Sequence, residues 1–443
     1  MRHTVKMQAT VVAAVAMLAL ACAAEAAQVT LDAGLGQPVL LANKKQTTYL
    51  KVGLTGFEFR REGERPPVNV ALVIDKSGSM SGEKIQKAKE AALMAVERLG
   101  GRDLVSVVAY DHNIRVLVPA TKVSDKASIR AGISRLSAGG NTALFGGVSK
   151  GAAEVRKFLQ KDRVSRVILI SDGLANVGPS SPKQLGDLGS SLIKEGISVS
   201  TVGLGLDYNE DLMTQLARKS DGNHYFAKTA AELAAIFQGE LGDVLSVCAK
   251  EVTITITCAG GIRPVRVLGR DADITGQKVT AVLNQLYSGQ EKYLVLEVEV
   301  PATAENKTRP IASVSVTYAN MATKTSETLT STASARFTKD AETVAKNENK
   351  KVMVSVVVQV AAQTNIDATA LRDAGKVEEA KKLLITNGAY LKANGLRYNS
   401  LMLMNQSTFN YRNAEELDDA EWKGTRKAMR EYQVEQQLQR KNK

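Results

Sequence analysis

The sequence predicts an α/β chain: a doubly wound, mostly parallel sheet that is inserted in or followed by a β-sandwich, with a C-terminal helical region. Three observations predict it. The apolar run VNVALVID at 68–75 ends in an acid, and Ile85, Ala88, Ala92, Val96 and Leu99 then recur at the 3.6 spacing of a helix packed on a sheet. Residues 248–338 carry successive alternating patterns, VTITIT, VRVLG, KVTAVLN, KYLVLEVEV, IASVSVTY and ASARF, separated by Gly, Asn and Pro turns. From about Asp340 the strand signals give way to helical ones.

Taken in order, residues 1–26 read as a secretory signal. Arg2 and Lys6 precede an apolar stretch at 11–20, and small residues end in Ala24-Glu25-Ala26, the expected cleavage point. LALAC at 18–22 offers a lipobox-like alternative that would place a lipid anchor on Cys22. No later segment has about 18 uninterrupted apolar residues. The expectation is an exported chain, periplasmic or secreted, with no transmembrane segment.

Residues 27–64 hold a strand pattern, TTYLKVGLTG at 47–56, and Arg60 to Pro67 read as a charged, proline-ended linker into the next domain. A lone strand is not stable, so its partners are expected in the sandwich at 247–339, with the α/β domain at 65–246 inserted between them. Cys248 and Cys258 remain after signal removal. An extended strand separates such ends by about 20 Å, against about 6 Å for a disulfide, and Cys258 shares a face with Val252, Ile254 and Ile256, so a buried free thiol is expected. The helical region at 340–443 begins with one long helix over 341–374 and a second from Val377; ALRDAGKVEEAKKLL resembles a single tetratricopeptide unit.

The candidate site starts at Asp75, delivered to a strand tip, with Ser77 and Ser79 in the following turn. A carboxylate and two hydroxyls at alternate positions suit a small divalent cation, because Mg²⁺ takes octahedral oxygen donors at about 2.0–2.1 Å. GGNTAL at 139–144 leads a further hydroxyl, Thr142, into a helix-like stretch. VSRVILISDG at 164–173 is a second apolar strand ending in an acid, Asp172, which lies beside Asp75 if the two strands are neighbours. In a doubly wound fold, ligands bind beyond the carboxyl ends of the strands.

These pieces, together with VSTVGLGLDYNEDLM, make residues 66–245 resemble the von Willebrand factor type A family. That family's metal-ion-dependent adhesion site joins DxSxS to a separate Thr and a separate Asp, here Asp75, Ser77, Ser79, Thr142 and Asp172. The resemblance implies that the three hydroxyls ligate a divalent cation directly while both acids act mostly through water. It implies Mg²⁺, with Mn²⁺ or Ca²⁺ as alternatives, and a protein partner presenting Asp or Glu. The domain layout is similar to inter-alpha-trypsin inhibitor heavy chains and bacterial calcium-activated chloride channel-like proteins; nothing in this sequence lines a pore.

The formal charge of +12 suggests acidic partners, but the basic residues are dispersed and the chain is read as exported, which argues against nucleic acid. Lys423, Arg426, Lys427 and Arg430 form the one basic cluster, read as a solvated helix face. No enzyme is expected. After signal removal only His112 and His224 remain, both read as structural; GxSxG is absent around Ser77 and Ser79, and GxxxxGK[ST] is absent throughout. The function class is therefore a metal-dependent interaction module. The alternative is a structural or assembly component of the cell envelope in which the metal only stabilises the fold.

Overall fold

The structure, a computed structural model, describes residues 28–59, 65–418 and 420–440. The predicted signal sequence, Cys22 and residues 60–64 of the linker lie outside the described residues. The chain opens with β1 (Thr30–Leu35), β2 (Val39–Leu41) and β3 (Gln46–Thr55). It then builds an α/β domain from β4 (Val68–Asp75), β5 (Leu104–Tyr110), β6 (Ile114–Lys122), β7 (Val164–Ser171), β8 (Ile197–Leu204) and β9 (His224–Ala227). Its helices are α1 (Glu83–Arg98), α2 (Lys126–Ser134), α3 (Leu144–Arg156), α4 (Pro182–Lys194), α5 (Glu210–Lys219) and α6 (Leu233–Leu245).

The sheet order is β6-β5-β4-β7-β8-β9, parallel except for β6. Every residue of β4, β5, β7 and β8 is buried, which is why these strands read as unbroken apolar runs rather than alternating ones. Along β4, Val70, Leu72 and Ile74 pack into one core with Ala88, Ala92 and Phe237, while Ala71 and Val73 pack into the other with Val148 and Ala152. Helices thus cover both faces. The chain leaves β4 for β5 on one side and returns to β7 on the other, so the loops after β4 and β7 diverge at a topological switch point.

The sandwich follows as β10 (Val247–Cys258), β11 (Arg263–Leu268), β12 (Asp273–Thr275), β13 (Lys278–Tyr287), β14 (Glu291–Val300), β15 (Thr308–Asn320) and β16 (Ser326–Thr338). One sheet runs β1-β3-β14-β11 and the other β12-β13-β10-β15-β16-β2. Strands from before and after the α/β domain therefore share both sheets, and the domain is an insertion into the sandwich. Cys248 and Cys258 are free and buried in its core, and burial pushes their thiols up to about 12 and about 11.

Helices α7 (Ala341–Lys346), α8 (Lys350–Asp373), α9 (Val377–Tyr398), α10 (Leu401–Glu415) and α11 (Trp422–Leu438) complete the chain. The single helix expected over 341–374 is broken. Asn349 caps a new start, its side chain accepting the Val352 N–H at 3.2 Å. The basic cluster is also corrected: Arg426 pairs with Glu210, Asp211 and Asp373, Arg430 with Asp211, and Lys427 is buried against Glu210 and the Tyr208 carbonyl. Only Lys423 among the four is well exposed, and it reaches Asp207. The acids of α5 recruit this helix face. Among the described residues no helix is long and apolar enough to cross a membrane.

A buried polar junction joins the inserted domain to the sandwich. Arg166 of β7 donates to Ser200 Oγ at 2.8 Å, Gln285 Oε1 at 2.6 Å and Tyr287 Oη at 2.8 Å, and lies 3.2 Å from Glu240 of α6. Both charged side chains are fully buried.

Candidate functional site

The carboxyl ends of β4 and β7 bring the five residues predicted from sequence together. Ser79 Oγ donates to Asp172 Oδ1 at 2.6 Å, and the Ser77 and Ser79 hydroxyl oxygens lie 3.1 Å apart. The Ser77 N–H donates to Asp75 Oδ1 at 2.8 Å. Thr142 arrives from a third loop. A Cβ built on Gly173 would sit 3.1 Å from Thr142 Oγ1, 3.4 Å from Ser79 Oγ and 3.7 Å from Ser77 Oγ, so the three hydroxyls border one small space that the glycine keeps clear.

Backbone stitching sets this convergence. The Gly78 N–H donates to the Gly140 carbonyl at 2.9 Å and the Gly139 N–H to the Lys76 carbonyl at 2.7 Å, tying the Thr142 loop to the serine loop. Gly140 has φ +91, and a Cβ there would lie 2.5 Å from His112 Nδ1, so that position requires glycine. Asn176 Oδ1 accepts the Thr142 N–H at 2.8 Å, and the Thr142 carbonyl takes the N–H groups of Asn176 and Val177. Thr142 is thereby held by the segment that follows Asp172.

Four neighbours escaped the sequence reading. Ser171 Oγ donates to Asp75 Oδ2 at 2.6 Å, and Tyr110 Oη approaches the same oxygen at 3.4 Å. Lys84, from the first turn of α1, pairs with Asp172 Oδ2 at 2.5 Å. Lys76 pairs with Asp111, whose carboxylate also holds the turn at Asn113. Ser171 was signalled by its place at the strand tip; the lysines carry no local pattern that distinguishes them from surface charge. Asp103, at the other end of β5, accepts the N–H groups of Gly100 and Val68 and pairs with Arg65, a turn role.

The donor set fits a hard divalent cation. All five side chains offer oxygen, and adjacent ligands of an octahedral ion with bonds near 2.05 Å are separated by about 2.9 Å, close to the spacing of the two serine oxygens. Asp75 is fully buried and, among the described residues, has no cationic partner. Burial raises its carboxyl pKa above the usual range, hydrogen bonds from Ser171 and Ser77 oppose this, and Asp172 adds to the rise. A dication in the space between the loops would supply the missing counter-charge.

The two histidines sit differently. His112 is exposed beside Asp111. His224 is fully buried, 2.8 Å from Thr201 Oγ1, and burial together with Arg440 and Lys427 lowers its pKa to about 3. The neutral ring is therefore the folded form. Unfolding releases it to its ordinary value near 6.5, so stability is complete above about pH 6.5 and falls towards pH 3, by at most ~1.4 kcal/mol per pH unit. A His224→Gln variant should show a flatter loss of denaturation midpoint between pH 6.5 and 4.

Comparisons with known proteins agree with this geometry. Residues 69–239 match the model of the von Willebrand factor type A domain. An uncharacterised protein, YfbK of Escherichia coli K12, is 31% identical over 214 residues, covering 48% of this chain and 37% of that protein. The inter-alpha-trypsin inhibitor heavy chain H3 of Pongo abelii is 30% identical over 175 residues, 38% of this chain and 20% of that one. These matches thus span well under half of the relatives' own length. The solved structure of a von Willebrand factor type A protein from Catenulispora acidiphila superposes with a TM-score of 0.70 at 17% identity, covering 86% of this chain and 90% of that one, so the shared fold extends beyond the inserted domain. The chain therefore carries a von Willebrand factor type A domain over residues 69–239, set into a β-sandwich with a helical C-terminal region.

Proposed function

We propose that this chain is an exported, metal-dependent protein-binding module whose ligand is an acidic side chain of a partner. The convergence of three hydroxyls from two loops in front of two buried carboxylates carries the reading. Ser77, Ser79 and Thr142 bind the ion, Mg²⁺ first and Mn²⁺ or Ca²⁺ as alternatives, while Asp75 and Asp172 support it from behind. When bound, the dication supplies an open position with strong affinity for a carboxylate, because neutral hydroxyl ligands leave most of its charge uncompensated. The chain's own residues do no bond-making, and the module is not an enzyme.

Lys84 tunes this site. Its ammonium holds Asp172 and repels an incoming cation, so Lys84→Met should tighten Mn²⁺ binding by about tenfold, on the scale of one charge interaction at a partly exposed site. Isothermal titration reads this directly.

The function is tested by capture from envelope extract with Mg²⁺, with Mn²⁺ and with chelator, using the natural protein and Thr142→Ala side by side. The expected result is a partner retained by metal, released by chelator and lost in the variant. Capture that survives both chelation and mutation overturns the adhesion reading. A metal-dependent rise in melting temperature with no metal-dependent capture supports instead the envelope component stabilised by its ion. Export is tested by fractionating cells that express the full chain.

A further inference from the structure

Two exposed leucines border the oxygen cluster. Leu174 follows Gly173, whose Cβ position lies 3.1 Å from Thr142 Oγ1, and is 59% exposed. Leu206 lies just past the end of β8 and is 39% exposed. Ser171 of β7 pairs with Gly203 of β8, so each leucine stands three residues past the same rung of neighbouring strands, which run about 4.8 Å apart. Ile114, also exposed at this end of the sheet, lies on β6, beyond β4 and β5, and leans on α3, where a Cβ built on Gly146 would meet its Cδ1 at 2.5 Å. The apolar surface next to the ion loops is therefore the pair after β7 and β8.

The C-terminal helical region bounds this ledge. Leu206 Cδ2 lies 3.8 Å from a Cβ built on Gly424, in the first turn of α11, and Lys84 Nζ lies 3.9 Å from one built on Gly205. The lysines on either side of Leu206 already have carboxylates of this chain: Lys84 holds Asp172 at 2.5 Å, and Lys423 holds Asp207 at 2.6 Å. Asp418 and Glu421, exposed in the turn that leads into α11, add negative charge on that side. A second acid beside the one at the ion would thus meet paired lysines and further carboxylates, whereas an apolar side chain would cover two leucines.

We propose that the partner segment carries a single Asp or Glu next to a large aliphatic side chain, with the acid at the ion and the aliphatic group on Leu174 and Leu206, against the start of α11. This rests on the adhesion reading and adds to it the neighbour of the acid. Selectivity at this surface then comes from apolar contact beside one carboxylate, not from the acid content that the formal charge of +12 suggests.

Capped tripeptides titrated into the full chain loaded with Mn²⁺ test this, read by the transverse relaxation that bound Mn²⁺ imposes on peptide protons, less the effect of free Mn²⁺. The probes are acetyl-Leu-Asp-Leu-amide, acetyl-Gly-Asp-Gly-amide, acetyl-Asp-Asp-Asp-amide and acetyl-Leu-Asn-Leu-amide. Leu-Asp-Leu is expected to bind at least about tenfold tighter than Gly-Asp-Gly, Asp-Asp-Asp to gain no more than about threefold, the statistical advantage of its acids, and Leu-Asn-Leu to show no saturable effect. Leu174→Ser combined with Leu206→Ser, both at exposed positions, should bring Leu-Asp-Leu to within about threefold of Gly-Asp-Gly. Equal binding of Leu-Asp-Leu and Gly-Asp-Gly, or tightest binding of Asp-Asp-Asp, overturns the inference and leaves the adhesion reading standing; no binding of any acidic peptide to the Mn²⁺-loaded chain overturns both. A dimer by light scattering that the leucine changes dissociate also overturns the inference, because a second copy would then cover the leucines.

Discussion

Replacing Asp75 by asparagine is expected to abolish the rise in melting temperature produced by Mn²⁺ or Mg²⁺ and to weaken cation binding by about a hundredfold, the upper end for loss of a supporting carboxylate. The variant keeps an acceptor for the Ser77 N–H and a shape that fits beneath Ser171, so the metal-free fold should melt within a few degrees of the natural one. Indeed the metal-free protein has something to gain. A buried carboxylate whose pKa is raised, and which has no cationic partner among the described residues, opposes folding increasingly as pH rises through its titration. The two effects separate binding from stability: differential scanning fluorimetry without metal reads one, and its metal-induced shift reads the other. An undiminished shift in Asp75→Asn would place the ion elsewhere.

The second large effect is expected at the junction between the inserted domain and the sandwich. Glu240→Leu leaves Arg166 buried without its carboxylate, and a broken buried pair costs about 3–5 kcal/mol. Urea unfolding should show a correspondingly lower midpoint. Adding Arg166→Met to the same chain should restore much of the loss, because no unpaired charge then remains; failure of that rescue would mean that the bonds from Arg166 to Gln285 and Tyr287 matter more than the ion pair. Burial alone raises the Glu240 carboxyl pKa, but Arg166 and the donors Ser200, Asn223 and Tyr225 overcome it and hold the value low. This contribution is present above the ordinary carboxylate range and is lost as the pH falls through the lowered value.

Much of this was legible in the sequence, for physical reasons. Strands buried on both faces must be continuously apolar, so β4 and β7 announced themselves, and a doubly wound sheet puts functional side chains at strand tips, where Asp75 and Asp172 stood. The alternating strands of the sandwich were readable because one face of each packs inward. What was illegible depended on distant partners. The first half of β16, SETLTST, is only partly buried on its inward side and carries no hydrophobic alternation, so its pairing to β15 shows only in register. The break at Asn347–Asn349 lies in a stretch whose composition is helical on both sides. Lys84, Arg426 and Lys427 look like surface charge until Asp172, Glu210 and Asp211 are brought against them from elsewhere in the chain.

The way the type A domain is threaded into the sandwich has a mechanical consequence. Its entry, just before β4, and its exit from α6 into β10 lie at the same end of the parallel sheet, where the Lys250 ammonium reaches the Arg163 carbonyl and the Ser288 N–H the Ser246 carbonyl. The oxygen cluster sits at the other end, eight residues along β4 and roughly 23 Å away. Tension applied by a captured partner would therefore leave the domain through two tethers side by side, one running into β3 and one into β10. Since β3 and β10 belong to opposite sheets, the load would be divided between both layers instead of peeling a single strand.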